Sequence, residues 1–145
     1  MRLTTFTDYT IRVLVYLALD REKLATAGEL ANSYGISHNH LTKVVHYLGQ
    51  QGYIETIRGK GGGMRLALSP EVVNIGVLIR QTEQNSILVE CFSPESSQCR
   101  ILPACRLAGV LGEAQEAFFK VLEKYTLADL ISNASALDHL LSGHA

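Results

Sequence analysis

Apolar residues follow two periods along this chain, and the switch between them marks out its elements. Ile11, Val13, Leu14, Val15, Leu17, Ala18 and Leu19 crowd one segment that opens at Thr7-Asp8 and runs to Asp20, a helix apolar on most of its surface. Thr7 is placed to cap it, and Asp8 in the first turn suits the positive end of the helix dipole. A second, shorter helix is predicted over about 26–34, with Thr26 as cap and Glu29 three residues on, the capping-box spacing. Gly35 turns the chain, and Ser37 caps a third helix through Leu41, Val44, Val45 and Leu48 that stops at Gly52. Two helices joined by a tight turn containing glycine make a helix-turn-helix.

The period then changes from helical to alternating. Tyr53–Ile57 and Met64–Leu68 both read as strands, and Arg58-Gly59-Lys60-Gly61-Gly62-Gly63 between them supplies the turn of a β-hairpin. Cations at the tip of such a hairpin make it a wing. Pro70 ends it, and a fourth helix is predicted over about 74–84. From near Pro103 the apolar positions Leu107, Leu111, Ala114, Phe118, Val121 and Tyr125 repeat in steps of four and three, the period of paired helices. An ordinary amphipathic helix gives nearly the same pattern, but little chain remains to cover this one, so a dimerisation helix is expected. Thr126–Ile131 reads as a short terminal helix and 133–145 as a frayed tail.

The expected fold is therefore mainly α: a winged helix-turn-helix DNA-binding domain with a β-hairpin wing, plus a long C-terminal dimerisation helix. Its parts are a DNA-binding region over 1–70, a connecting helix and cysteine loop over 71–106, the dimerisation and short terminal helices over 107–132, and a flexible tail over 133–145. At 145 residues, 47% apolar and 19% charged, one folded domain with an appendage is expected and disorder is excluded as the main state. No apolar run approaches the length of a spanning helix, and Met1–Phe6 lacks the pattern of a signal peptide. A cytoplasmic protein with no membrane partner follows as the expectation.

Charge sharpens this picture only when the chain is divided. The net charge of -1 argues against nucleic acid, yet residues 1–65 carry +3 and residues 66–145 carry -4. An anionic partner would dock on the first half. The third helix opens with Ser37, His38, Asn39 and His40, and carries Lys43 and His46 on later turns; short polar and basic side chains there reach base edges or phosphates. Arg58, Lys60 and Arg65, with Gly61 and Gly62 allowing close backbone approach, would follow the adjacent groove, and Arg12 adds a further cation to the same half. The plainer reading is a solvated polar face, which a glycine triplet flanked by cations serves poorly. One helix and one wing cover few base pairs, so a homodimer on a palindromic double-stranded operator is expected.

Cys91, Cys99 and Cys105 are the only cysteines and read C-x7-C-x5-C on a polar loop. An odd number suits neither a disulfide framework nor a closed zinc site. Soft thiolates select zinc, copper(I) or an iron–sulfur cluster, with a last ligand from elsewhere; the alternative is three unconnected thiols. Candidate fourth ligands are Glu90, Glu95 and His139, or Asp8 if the fold or a partner brings it near. No histidine stands close in sequence to any cysteine as a catalytic base, so no enzyme is expected.

Thr5-Phe6-Thr7-Asp8-Tyr9, Asn39–Val44, the glycine wing, the three cysteines with Pro103-Ala104-Cys105-Arg106-Leu107, and Tyr125–Leu130 occur in one order. Over nearly the whole chain they closely resemble the winged-helix iron–sulfur regulators of bacteria, and among these the nitric-oxide-sensitive repressors. The resemblance implies that Cys91, Cys99 and Cys105 hold an iron–sulfur cluster, 4Fe–4S ahead of 2Fe–2S, with Asp8 of the other protomer as fourth ligand. A histidine that some members place three residues after the last cysteine is Ala108 here, which leaves the carboxylate route. Nitric oxide would then be the signal, displacing Asp8, lowering DNA affinity and derepressing stress genes. Iron or redox sensing, or thiol-based oxidant sensing without metal, are the alternatives.

Overall fold

Thr4, not Thr7, caps the first helix, and the reason lies far away in sequence. In the computed structural model, which describes residues 2–93, 95 and 97–143, α1 spans Thr5–Leu19 and the Thr4 hydroxyl accepts from the Thr7 amide at 3.2 Å. Thr7 is fully buried instead, its hydroxyl donating to Glu83. Two threonines compete for the cap locally, and the long-range carboxylate decides between them.

The helix-turn-helix forms as its caps require. Helix α2 spans Ala27–Tyr34 with the Thr26–Glu29 capping box complete, and Gly35 follows at φ 63°. Helix α3, His38–Gln50, starts at Ser37, whose hydroxyl accepts from the His40 amide. Leu14 and Leu17 of α1, Leu30 of α2, and Leu41, Val44 and Leu48 of α3 are almost wholly buried in one shared core. The same core continues into Met64, Val73, Leu78, Ile79 and Leu127 of later elements.

The hairpin pairs β1, Ile54–Ile57, with β2, Gly63–Leu66, in antiparallel register with Ile54 opposite Leu66 and Glu55 opposite Arg65. Its base is fixed by two further bonds: Ala25 N–H to Met64 C=O at 2.9 Å and the reciprocal bond at 2.7 Å. Helix α4, Ile75–Thr82, is capped by Asn74, and α5, Arg106–Leu122, crosses it. At the crossing a Cβ on Gly76 would stand 2.4 Å from the Glu123 amide nitrogen, so the two backbones touch with no side chain between them. Arg80 locks the same pair, donating to Glu116 at 3.0 Å and Glu123 at 2.9 Å with its guanidinium 4.3 Å from the Phe119 ring.

Helix α6, Leu127–Leu130, falls inside the short helix expected over Thr126–Ile131 and carries its own Thr126–Asp129 capping box, but it does not end the fold. The tail differs from expectation: Ala134–Ser142 form a seventh helix, α7, packed against α2, while His144 and Ala145 lie outside the described residues. No side-chain cap starts α7 and none of its residues is fully buried, so local sequence carries little signal and docking on α2 supplies the rest. Among the described residues no helix is long and apolar enough to cross a membrane.

Glu83, just past α4, is buried yet charged. Burial alone would raise its pKa, but donors from Thr7, the Thr4 amide and hydroxyl, and Ser86 outweigh it and hold the carboxyl below its ordinary value. A carboxyl with a depressed folded pKa stabilises the fold above its unfolded value, about 4.3, and loses that contribution as pH falls through the folded value. Urea midpoints of wild type and Glu83→Gln are therefore expected to differ at pH 7 and to draw together only as pH falls below the unfolded value of about 4.3 and on through the lower folded value.

Candidate DNA interface and cysteine loop

The polar first turn of α3 stands on the surface because its apolar stripe faces α1 and α2. His38, Asn39, His40 and Lys43 are all exposed, as is His46 two turns along the helix. Ser37 is committed to capping, so its hydroxyl serves α3 first. His40 rests against α1: its ring lies 5.9 Å from that of Tyr9. Phe6 and Tyr47 make a second aromatic contact between the same helices at 5.3 Å, so α1 sets the attitude of α3.

The wing presents fewer free cations than its sequence suggests. Arg58, Lys60 and Gly61 are exposed at the tip, where Gly59 and Gly61 adopt φ 104° and 77°. Gly62 is tucked beneath them, and a Cβ there would collide with the Ile57 carbonyl at 2.2 Å. Arg65 is paired with Glu55 across the strands. Arg12 is likewise engaged, 2.9 Å from Asp8, with its guanidinium 5.8 Å from the rings of both Tyr9 and Tyr34. Replacing Arg58 or Lys60 with glutamine is expected to lower the salt dependence of duplex binding by about one unit of log K per log salt, and Arg65→Gln by less. Fluorescence anisotropy across a salt series reads this directly.

The three cysteines lie on the loop between α4 and α5 and are free thiols, each half-buried. Cys91 falls in a 3-10 turn over Glu90–Phe92, and Cys105 is the N-cap position of α5. Glu90 ties the loop together: its carboxylate accepts from the Gln98 amide, drawing the neighbour of Cys91 to the neighbour of Cys99. Phe92 comes within 4.0 Å of where a Cβ on Gly112 would lie, so the loop leans on the second turn of α5. Among the described residues no group of three or more His, Cys, Asp or Glu stands close enough to hold a metal ion. Among the described residues Asp8, Glu90, Glu95 and His139 thus complete no such group with the cysteines.

The donor set nonetheless fits a soft-metal cluster in kind. Three reduced thiols share one short loop, and a carboxylate already folds that loop back on itself. Asp8 sits on a different element, held by Arg12. Sequence reading found the cysteines and the wing; it missed Glu83, Arg80 and Tyr9, whose partners lie on other elements and leave no local pattern.

Helix α5 turns two faces outward and inward. Phe119 is buried against α4, while Leu107, Val110 and Val121 of the opposite side are 60%, 59% and 51% exposed. The 3.5-residue seam maps largely onto this uncovered side.

Comparison with known proteins places these features together. The Rrf2 family model, described as an iron-dependent transcriptional regulator, matches residues 3–133. The HTH-type transcriptional regulator NsrR of Halalkalibacterium halodurans is 53% identical over 142 residues, covering 97% of each chain. NsrR of Bacillus subtilis is 49% identical over 142 residues, again with 97% of both covered. Among solved structures, T. potens IscR aligns with a TM-score of 0.73 at 22% identity, covering 92% of this chain and 88% of that one. Oxidised Staphylococcus aureus CymR aligns at 0.70 and 23%, covering 91% and 97%. These two share the winged-helix fold.

Proposed function

The chain belongs to the Rrf2 family of transcriptional regulators, and from that premise we propose that it is a cytoplasmic, homodimeric repressor whose hold on DNA depends on an iron–sulfur cluster read by nitric oxide. The observation that carries this reading is the loop of three free thiols at the foot of an uncovered α5, behind a winged helix-turn-helix. Relatives named NsrR at about half identity over nearly full length support it.

Cys91, Cys99 and Cys105 would hold the cluster, 4Fe–4S ahead of 2Fe–2S, and the partner subunit's Asp8 would complete it. Such a cluster supplies iron with high affinity for nitric oxide. The chain does the rest. Asp8 must leave Arg12 to act as a ligand, and an oxygen donor among sulfurs is the ligand most readily given up. The exposed side of α5 brings the second copy that this ligation requires, and the same two-fold axis sets two α3 helices against a palindromic operator. On each half-site His38, Asn39, His40 and Lys43 would meet the major groove, and Arg58 and Lys60 with Gly61 the neighbouring backbone. Arg12, Arg65, Ser37 and Gly62 would shape that surface through the contacts already described.

Protein purified without oxygen is expected to be coloured, to contain iron and sulfide in near-equal amounts, and to release duplex DNA as nitric oxide is titrated. A coloured protein indifferent to nitric oxide but responsive to iron or redox state would replace the signal. A colourless, iron-free protein that still binds its operator fully would point to thiol chemistry alone and end the cluster reading.

A further inference from the structure

Glu83 is the one buried carboxylate among the described residues, and neither DNA contact nor metal ligation uses it. Its backbone belongs to α4: the Glu83 amide donates to the Ile79 carbonyl at 2.9 Å, and its own carbonyl accepts from the Ser86 amide at 2.7 Å. Its side chain belongs to α1. One oxygen, Oε1, accepts from the Thr4 amide at 2.7 Å, the Thr4 hydroxyl at 2.8 Å and the Thr7 hydroxyl. Thr7 Oγ also lies 2.8 Å from Thr82 Oγ, so the last turn of α4 and the first turn of α1 are laced at two points.

We propose that Glu83 is a positioning residue that fixes the first turn of α1, and with it Asp8, to the place where the cysteine loop begins. The proposal rests on the regulatory reading above and adds to it the connection within one chain. Asp8 immediately follows Thr7, and the loop that bears Cys91 leaves α4 immediately after Glu83. A rearrangement of the loop that turns residue 83 must either drag Thr4 and Thr7 with it or strand a carboxylate away from water. Stranding a buried charge is the costlier course, so the α1 turn moves with the loop. Thr10, which donates to the Phe6 carbonyl at 2.8 Å, and the buried Val13, Leu14, Leu17 and Ala18 beyond it seat α1 in the core, and Tyr9 beside Asp8 connects the same turn to His40 of α3. Local sequence gives no hint of this because Thr4 and Glu83 are 79 residues apart.

Two measurements test the proposal on the full chain with Glu83→Ala, Glu83→Gln and Thr7→Val. Hydrogen exchange of amides in residues 2–9 of metal-free protein is expected to speed up about tenfold in Glu83→Ala, with the milder variants between it and wild type. Unchanged exchange overturns the proposal. The second measurement is the ratio of dissociation constants for a duplex selected by wild type from random sequence, taken with cluster-loaded and chelator-stripped protein. That ratio is expected to shrink at least about fivefold in Glu83→Ala while both states still bind. If the wild-type ratio persists in every variant although exchange has quickened, Glu83 is structural only and the proposal fails alone. If wild type itself shows no ratio, the regulatory reading fails and takes this inference with it. Should circular dichroism show Glu83→Ala unfolded, Glu83→Gln and Thr7→Val carry both measurements.

Discussion

Alanine at Cys91, Cys99 or Cys105, one at a time, is expected to give colourless protein after anaerobic purification and to abolish the response of DNA binding to nitric oxide. Clusters are typically held by about four ligands, and this chain offers three thiols and one distant carboxylate. Removing one thiol leaves two on a loop that Glu90 folds back through the Gln98 amide. The same substitutions should scarcely disturb the metal-free fold, because each sulfur is half-buried and free; a cost within about 1 kcal/mol is expected. The contrast between lost colour and a kept thermal midpoint separates ligation from packing. Visible absorbance retained by all three variants would remove the loop from the metal site.

Gly76→Ala is expected to be strongly destabilising. The added Cβ would meet the Glu123 amide nitrogen at 2.4 Å and its Cα at 2.7 Å, and neither atom belongs to a side chain that can swing aside. Forcing the helices apart strains Arg80 and its partners Glu116 and Glu123, and lifts Phe119 off α4. Overpacking of this kind costs about 1–3 kcal/mol, which lowers the midpoint of a domain this size by roughly 3–10 °C. Truncating the Glu123 side chain should not rescue it, since the collision is with backbone. Gly49→Ala is the control: nothing lies within 4 Å of its Cβ in α3, and a gain of about 0.5–1 kcal/mol is expected there. Equal midpoints for Gly76→Ala and wild type would mean that α4 and α5 do not cross at this residue.

What could be read from sequence and what could not divide along one physical line. Caps and turns act within four residues, so Thr26–Glu29, Gly35, Ser37 and the glycine wing announced their elements directly. The Thr7 cap failed because Glu83, far along the chain, takes that hydroxyl for itself. Arg65 looked like a free cation until strand register set Glu55 opposite it. Helix α7 was invisible because its formation leans on α2 rather than on its own caps. The cysteines were conspicuous as a set, yet among the described residues no group of three or more His, Cys, Asp or Glu stands close enough to hold a metal ion, a distance no spacing encodes.

The glycine crossing has a mechanical consequence. Helix α5 has 17 residues, about 25 Å of rigid rod at the usual rise. Its fixed point is at one end, where Gly76 meets Glu123 and Arg80 grips the last two turns; Cys105 sits at the other end. A rod held that way behaves as a pointer. A tilt of about 5° at the pivot sweeps the cysteine end through roughly 2 Å, on the scale of the helix shifts that switch other regulators. Read in reverse, a small tug on Cys105 is geared down at the pivot into a fine rotation of everything bolted to α4.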